Sequence, residues 1–227
     1  MEPIVIVAAV VCFFTLLLKL LTSFRGEAVS RGEAVSRGEE GEAAVFHELR
    51  RSLDEHHYKI LIDVMIHTQK GITTQIDHIV VSQYGVFIIE TKNISGWVFA
   101  SERGRQWTQT LPAWDGWGSS EKYHFQNPLR QNYLHIATLA YQLRIPRRHI
   151  IGLVAFPEET DFKKGYPQGV FTYSQIAAQI LAHKEKVFDV KTTRAIARSI
   201  TAADAKVTGE ERAKHVSNLR LVHDQLD

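Results

Sequence analysis

"IDHIVVSQYGVFIIETKN", Ile76 to Asn93, decides how this chain is read. Two apolar runs meet at Tyr84-Gly85, a tight connection that predicts an antiparallel hairpin. Both runs are apolar on both faces, as strands covered on each side are. The same stretch nevertheless carries Asp77, Glu90 and Lys92. Burying a charge is costly unless it is paired or bound to a metal. Either the three neutralise one another, or they are a site.

In a strand, residues two apart share a face. Gln75 and Asp77 then lie with Ile79 and Val81, and Glu90 and Lys92 with Val86 and Ile88. Asp77 begins one strand while Glu90 and Lys92 end the other, so the spacing predicts that they converge at one end of the hairpin. Two carboxylates and an amine suit a hard cation such as Mg²⁺ (or Mn²⁺), which keeps several waters and needs only one or two carboxylates. The predicted ligands are Asp77, Glu90 and the backbone carbonyl of Thr91, and the chemistry is metal-assisted phosphodiester hydrolysis. Lys92 would orient the attacking water or stabilise charge developing on phosphorus. Glu42, at the start of the first helix, could add a ligand or hold a second metal or a water. The competing reading is a structural ion pair of Lys92 with Asp77 or Glu90.

Working outward, "GEAAVFHELRRSL" places Val45, Leu49 and Leu53 at helical spacing. Strands are predicted over 58–66, 72–82 and 85–92, with two short ones at "GWVFA" and "QWTQT". An amphipathic helix follows Pro128, its apolar side read as Leu129, Tyr133, Ile136, Leu139, Ala140 and Leu143. Strands at 150–156 and 169–173 come next, then a helix that Ser174 could cap. The chain after Val190 reads as helical, and Thr208 with Glu211 has capping-box spacing. This order implies an α/β domain with a mixed sheet.

The start of the chain is different in kind. "PIVIVAAVVCFFTLLLKLL", residues 3–21, carries one charge, Lys19. At about 1.5 Å per residue it matches a hydrocarbon core. Met-Glu-Pro is not the basic start of a signal peptide, so a retained anchor is expected. Lys19 stands near the end of the run and Arg25, Arg31 and Arg37 follow it, which places the rest of the chain in the cytoplasm, on a single-pass protein of the inner, cytoplasmic membrane. The hexad RGEAVS then repeats as a spacer. The expected organisation is an anchor over 1–24, a spacer over 25–38, a core over 39–157, and a strand and helices over 158–227 that complete or flank it. The net charge of +2 neither announces nor excludes a nucleic-acid binder. A single cysteine, Cys12, rules out a disulfide framework or a thiolate zinc site.

"GEAAVFHEL", "TQIDHIVVSQYGVFIIETKNISGWV" and "FQNPLRQNYLHI" together resemble the nuclease-related domain, NERD. That family is itself similar to the PD-(D/E)xK superfamily. The resemblance implies a restriction-endonuclease-like α/β core with Glu42, Asp77, Glu90 and Lys92 as the nuclease quartet. It also implies nucleic acid as partner, DNA ahead of RNA, and a Gln-bearing helix beside the metal, which points to Gln131. The function expected is a membrane-anchored, metal-dependent nuclease; the alternative is a non-catalytic nucleic-acid-binding or scaffolding module at the membrane.

Other residues carry two readings each. Gln75 touches the site or makes a strand-end hydrogen bond. Arg130 clamps a phosphate near a helix N-terminus, or is merely solvated. His78 faces away by alternation and reads as structural. Trp97, Trp107, Trp114 and Trp117 crowd the segment after the hairpin, and the Gly-rich aromatic loop "LPAWDGWGSSEKYHF" (111–125) stacks on single-stranded bases or is simply a packed loop. Arg103, Arg105, Arg144, Arg147, Arg148, Lys163 and Lys164 are candidates for a basic rim.

Overall fold

Every fourth residue along the helix α1 (residues 37–52) is buried: Gly41, Val45, Leu49, then Leu53 just past its end. That period is one stripe of a helix. The computed structural model describes residues 37–111 and 121–224. Two compact units divide the chain, Met1–Glu40 and Gly41–Asp227, and the second holds every strand described. The apolar run 3–21, the repeated hexads through Ser36, and Trp114 and Trp117 lie outside the described residues. Among the described residues no helix is long and apolar enough to cross a membrane.

β1 (Tyr58–His67) pairs antiparallel with β2 (Thr73–Ser82), and β2 with β3 (Gly85–Thr91). The hairpin closes on the pair Ser82↔Gly85, so Gln83 and Tyr84 form its turn. All seven residues of β3 are buried. Its other neighbour is β7 (Ile150–Phe156), which runs parallel to it, and β9 (Val170–Thr172) runs parallel to β7. The five strands stand in the order β1-β2-β3-β7-β9, a mixed sheet as expected.

Two cores sandwich it. On one face α1 and α3 (Ile176–Ala182) pack on Val80, Phe87, Ile89 and Leu153. On the other, α2 (Pro128–Leu143) and α4 (Val190–Asp204) pack on Ile79, Val81, Val86 and Ile88. Alternation along the outer strands is not continuous. Tyr58 and Ile60 face α1, yet Val64 and Ile66 face α2. The phase slips at Asp63, whose φ is +49°, a left-handed conformation that Asp tolerates better than most residues. β2 slips opposite it, since Ile76 faces the same core as Ile79 and Val81.

A second sheet orders β6 (Glu121–Gln126), β5 (Gln106–Leu111), β4 (Gly96–Phe99) and β8 (Thr160–Phe162). β6 falls inside the stretch read from sequence as aromatic loop. Trp107 is fully buried at the centre of this sheet's core, against Phe125, Phe156 and Phe162. Its indole N–H donates to the Ser101 carbonyl at 2.9 Å. It is a packing residue and is closed to bases. The segment after Phe156 serves both sheets: β8 pairs with β4, and β9 with β7.

The helices correct the sequence reading in two places and meet it in a third. Thr172 and Gln175, rather than Ser174, form the capping box ahead of α3. On α2, Tyr133 is 66% exposed, while Asn132, His135 and Leu139 are buried. Leu129, Ile136, Leu139, Ala140 and Leu143 pack inward as predicted, so Tyr133 is the exception and the buried side also carries polar groups. α5 (Gly209–Asp224) starts with the expected box: Thr208 N–H donates to Glu211 Oε2 at 2.8 Å, and Glu211 N–H to Thr208 Oγ1 at 3.2 Å.

Candidate active site

The last paired rung of the hairpin is His78↔Ile89. Asp77 and Glu90 are the next residues on each strand, where the ladder has opened. Asp77 Oδ2 accepts the backbone N–H of Thr91 at 2.7 Å, so its carboxylate stands where a ladder carbonyl would. Glu90 Oε1 accepts from Lys92 Nζ at 2.7 Å; the two side chains are 5% and 22% exposed. The opening end of the hairpin thus gathers Asp77, Thr91, Glu90 and Lys92, as the spacing predicted.

Glu42 joins from α1. Its carbonyl lies 3.1 Å from His78 Nε2. Gly41 lets the helix come this close: a Cβ there would stand 2.7 Å from Tyr173 Oη and 2.8 Å from Asn93 Cβ. Tyr173 Oη in turn donates to the Lys92 carbonyl at 3.2 Å. The chain just past β3 is therefore clamped between α1 and Tyr173.

From the other face α2 adds His135, buried, with Nδ1 3.9 Å from Glu90 Oε2 and Nε2 3.1 Å from Thr74 Oγ1. Asn132 Nδ2 donates to the Leu153 carbonyl at 2.8 Å and pins α2 to β7. Gly152 permits that approach, since an added Cβ would lie 3.2 Å from Asn132 Cβ. Asn127 caps the helix through Leu129 N–H at 3.0 Å. Its amide donates to the carbonyls of Ser101, Glu102 and Gly104.

The charges act strongly on one another. Burial raises the Asp77 carboxyl well above its ordinary range, with the charges of Glu90 and Glu42 adding to it; Lys92 and the Thr91 N–H pull the other way. Burial alone would lower the Lys92 ammonium, but Glu90 and Asp77 outweigh it and hold it above its ordinary value. Lys92 therefore stays charged at neutral pH. Burial pushes His78 down to about 4 and lowers His135, against the pull of Glu90 on both. Several buried atoms on the residues named above have no hydrogen-bond partner, among them Thr91 Oγ1, His78 Nδ1, Asn132 Oδ1 and His135 Nδ1. Orphans of this kind are uncommon in folded proteins and call for an explanation.

Among the described residues no three Asp, Glu, His or Cys side chains form a ready-made metal cluster. Asp77 and Glu90 are nonetheless a pair of oxygen donors beside orphaned polar atoms, in a setting that penalises their combined charge. That donor set suits a hard divalent cation retaining waters.

Not every candidate arrives here. Gln75 Nε2 donates to Asp63 Oδ1 at 2.8 Å, on the neighbouring strand. Arg130 is exposed on the first turn of α2, and Gln131 is half-buried one helical turn before His135. Arg144, Arg147 and Arg148 sit past the far end of α2, whose 16 residues span about 24 Å. Lys163 Nζ lies over the Trp97 ring, 4.4 Å from its centroid, and is paired with Asp161. His135, Thr74 and Tyr173 escaped sequence reasoning. The signal for His135 was its position four residues after Gln131 and four before Leu139, one stripe of a helix.

The nuclease-related domain family matches residues 37–157. A Bacillus anthracis protein named only as uncharacterized is 38% identical over 112 residues, 49% of this chain and 49% of its own length. The chain thus spans about half the length of that relative.

Proposed function

This chain belongs to the nuclease-related domain family, NERD, and from that premise we propose that it is a membrane-anchored, metal-dependent nuclease. Family membership points to a nuclease-like or nucleic-acid-related role. The finer reading is hydrolysis of phosphodiester bonds, DNA ahead of RNA, at Glu42, Asp77, Glu90 and Lys92 on a restriction-endonuclease-like sheet. The observation that supports it is the meeting of Asp77, Glu90 and Lys92 where the β2–β3 ladder opens, with Asp77 crowded by two further carboxylates.

Asp77 and Glu90 would hold Mg²⁺ or Mn²⁺, with the Thr91 carbonyl as a further oxygen donor. When bound, such an ion supplies Lewis-acid polarisation of phosphoryl oxygens and a nucleophilic water at neutral pH. The protein's own groups do the rest. The Thr91 N–H fixes Asp77 Oδ2, so the carboxylate cannot swing away. Lys92, charged and anchored on Glu90, donates to the phosphate as negative charge builds. Glu42, brought in by the close approach at Gly41, orients water. Arg130, exposed on the first turn of α2, would clamp a phosphate of the incoming strand, with Gln131 beside it as a further polar contact.

The anchor rests on the composition of residues 3–21 and on the basic residues that follow, which put the globular part in the cytoplasm at the inner membrane. Membrane fractionation of the full chain before and after carbonate extraction tests it; recovery in the wash removes the anchor from this reading.

The central experiment titrates Mg²⁺ and Mn²⁺ into the full-length protein while following cleavage of labelled single- and double-stranded DNA and RNA, wild type beside Asp77→Asn and Lys92→Ala. Metal-dependent cleavage lost in both variants is expected. Equal cleavage by all three proteins overturns the reading. The tight Lys92–Glu90 pair favours one alternative, a non-catalytic nucleic-acid-binding or scaffolding module. That alternative predicts salt-sensitive binding without turnover.

A further inference from the structure

His135 is the buried group at this end of the sheet that no step above uses. Its ring is 3% exposed, and the helix that carries it is pinned to the sheet. Thr74 Oγ1 stands 3.1 Å from Nε2. Asn132, three residues earlier, is tied to the Leu153 carbonyl, and Gly152 lets α2 settle against β7. A ring held this way cannot swing out to solvent. Its remaining nitrogen, Nδ1, has no hydrogen-bond partner and points at Glu90 Oε2 across 3.9 Å. That gap is beyond direct hydrogen-bond reach, but a small rotation of Glu90 or one bridging water closes it.

The Thr74 hydroxyl supplies the missing half of the argument. When it donates to Nε2, the ring proton resides on Nδ1, the nitrogen that faces the carboxylate. Glu90 is then gripped at both oxygens, by Lys92 on Oε1 and by His135 on Oε2, and its plane is fixed. Carboxylates that hold metals are commonly oriented by such outer partners, whose removal lowers metal affinity.

We propose that His135 is a positioning residue of this site: with its tautomer set by Thr74, it orients the Glu90 carboxylate for a divalent cation. The inference rests on the reading of Asp77 and Glu90 as cation ligands. It assigns to α2 a role distinct from phosphate contact by its N-terminus.

The test is Mn²⁺ binding by the full-length protein, followed by electron paramagnetic resonance without substrate, with thermal melting alongside. His135→Ala is expected to weaken Mn²⁺ binding by about 10- to 100-fold. His135→Asn keeps an N–H donor at the position of Nδ1 and is expected to restore most of the affinity. Thr74→Val, which frees the tautomer, weakens binding in the same direction, and Thr74→Ser leaves it unchanged. A residue that merely packs would lower the melting temperature of His135→Ala and His135→Asn alike and leave Mn²⁺ affinity untouched. That pattern overturns the proposal while the metal site stands. If His135→Ala does not fold, wild-type affinity in Thr74→Val overturns it equally. If the wild type binds no Mn²⁺, the metal reading falls and this inference with it.

Discussion

Asp77 Oδ2 accepts the Thr91 backbone N–H at 2.7 Å, one step past the last paired rung of β2 and β3. A side chain thereby completes a ladder that the backbone has left open. The carboxylate has a structural partner through one oxygen and keeps the other for chemistry.

The two roles separate by mutation. Asp77→Asn keeps an acceptor for Thr91, whereas Asp77→Ala leaves a buried N–H unmet and is expected to be about 1–3 kcal/mol less stable than the Asn variant. The folded carboxyl is raised above its ordinary value near 3.8, so its contribution to stability is present below that value and is lost as pH rises through the folded value. At pH above that ordinary value the shifted group weighs against folding. In chelator, Asp77→Asn should therefore melt above wild type while lacking cleavage. A melting temperature below wild type would contradict this assignment.

Lys92→Ala leaves the nearly buried Glu90 carboxylate without its partner, at an expected cost of about 3–5 kcal/mol. Removing both charges in Lys92→Met with Glu90→Gln should cost far less than the sum of the single changes. Urea unfolding of the four proteins in a double-mutant cycle measures the difference. Additive costs would mean that the pair does not act as one unit.

Two glycines on one helix should respond oppositely to alanine. At Gly41 the added methyl collides with Tyr173 and Asn93, and destabilisation of about 1–3 kcal/mol is expected, together with loss of whatever Glu42 contributes to cleavage. At Gly38 nothing lies within 4 Å, and the change should stabilise the helix by up to about 1 kcal/mol. Thermal melts and cleavage rates of both variants decide it.

The attachment of α5 should be sensitive to acid. The hydrogen bond from His67 at 2.9 Å, followed by those from the Thr208 N–H and hydroxyl, pulls Glu211 down to about 2. A carboxyl lowered on folding gives stability above its ordinary value near 4.5, and this is lost as pH falls toward about 2. Glu211→Gln should flatten the pH dependence of urea unfolding in that window. Thr208→Ala should cost about 1 kcal/mol at neutral pH through the lost cap.

Local chemistry was legible in the sequence. The α1 stripe, the hairpin, the α5 capping box and the convergence of Asp77 with Glu90 and Lys92 all follow from short spacings. Gln75 makes a cross-strand hydrogen bond, the second of its two readings, and its partner is the left-handed Asp63, where alternation on the neighbouring strand breaks. Tyr133 misled because an aromatic ring looks like core, whereas α2 buries Asn132 and His135 for the bonds they make to β7 and β2. No pattern within one segment could pair His135 with Thr74 or Glu90, since those contacts exist only once α2 is laid across the sheet. β8 is three residues long, and its partner β4 lies far back in the chain.

The stretch 157–172 feeds β8 to one sheet and β9 to the other, while the family match ends at residue 157. A chain stopped there would leave β4 and β7 as bare edges, and Phe162 and Val170 would be missing from the core around Trp107. The matched region is thus shorter than the two sheets it belongs to. A transplanted module that kept only the matched region would carry every residue of the proposed quartet and still lack the two strands that seal its sheets.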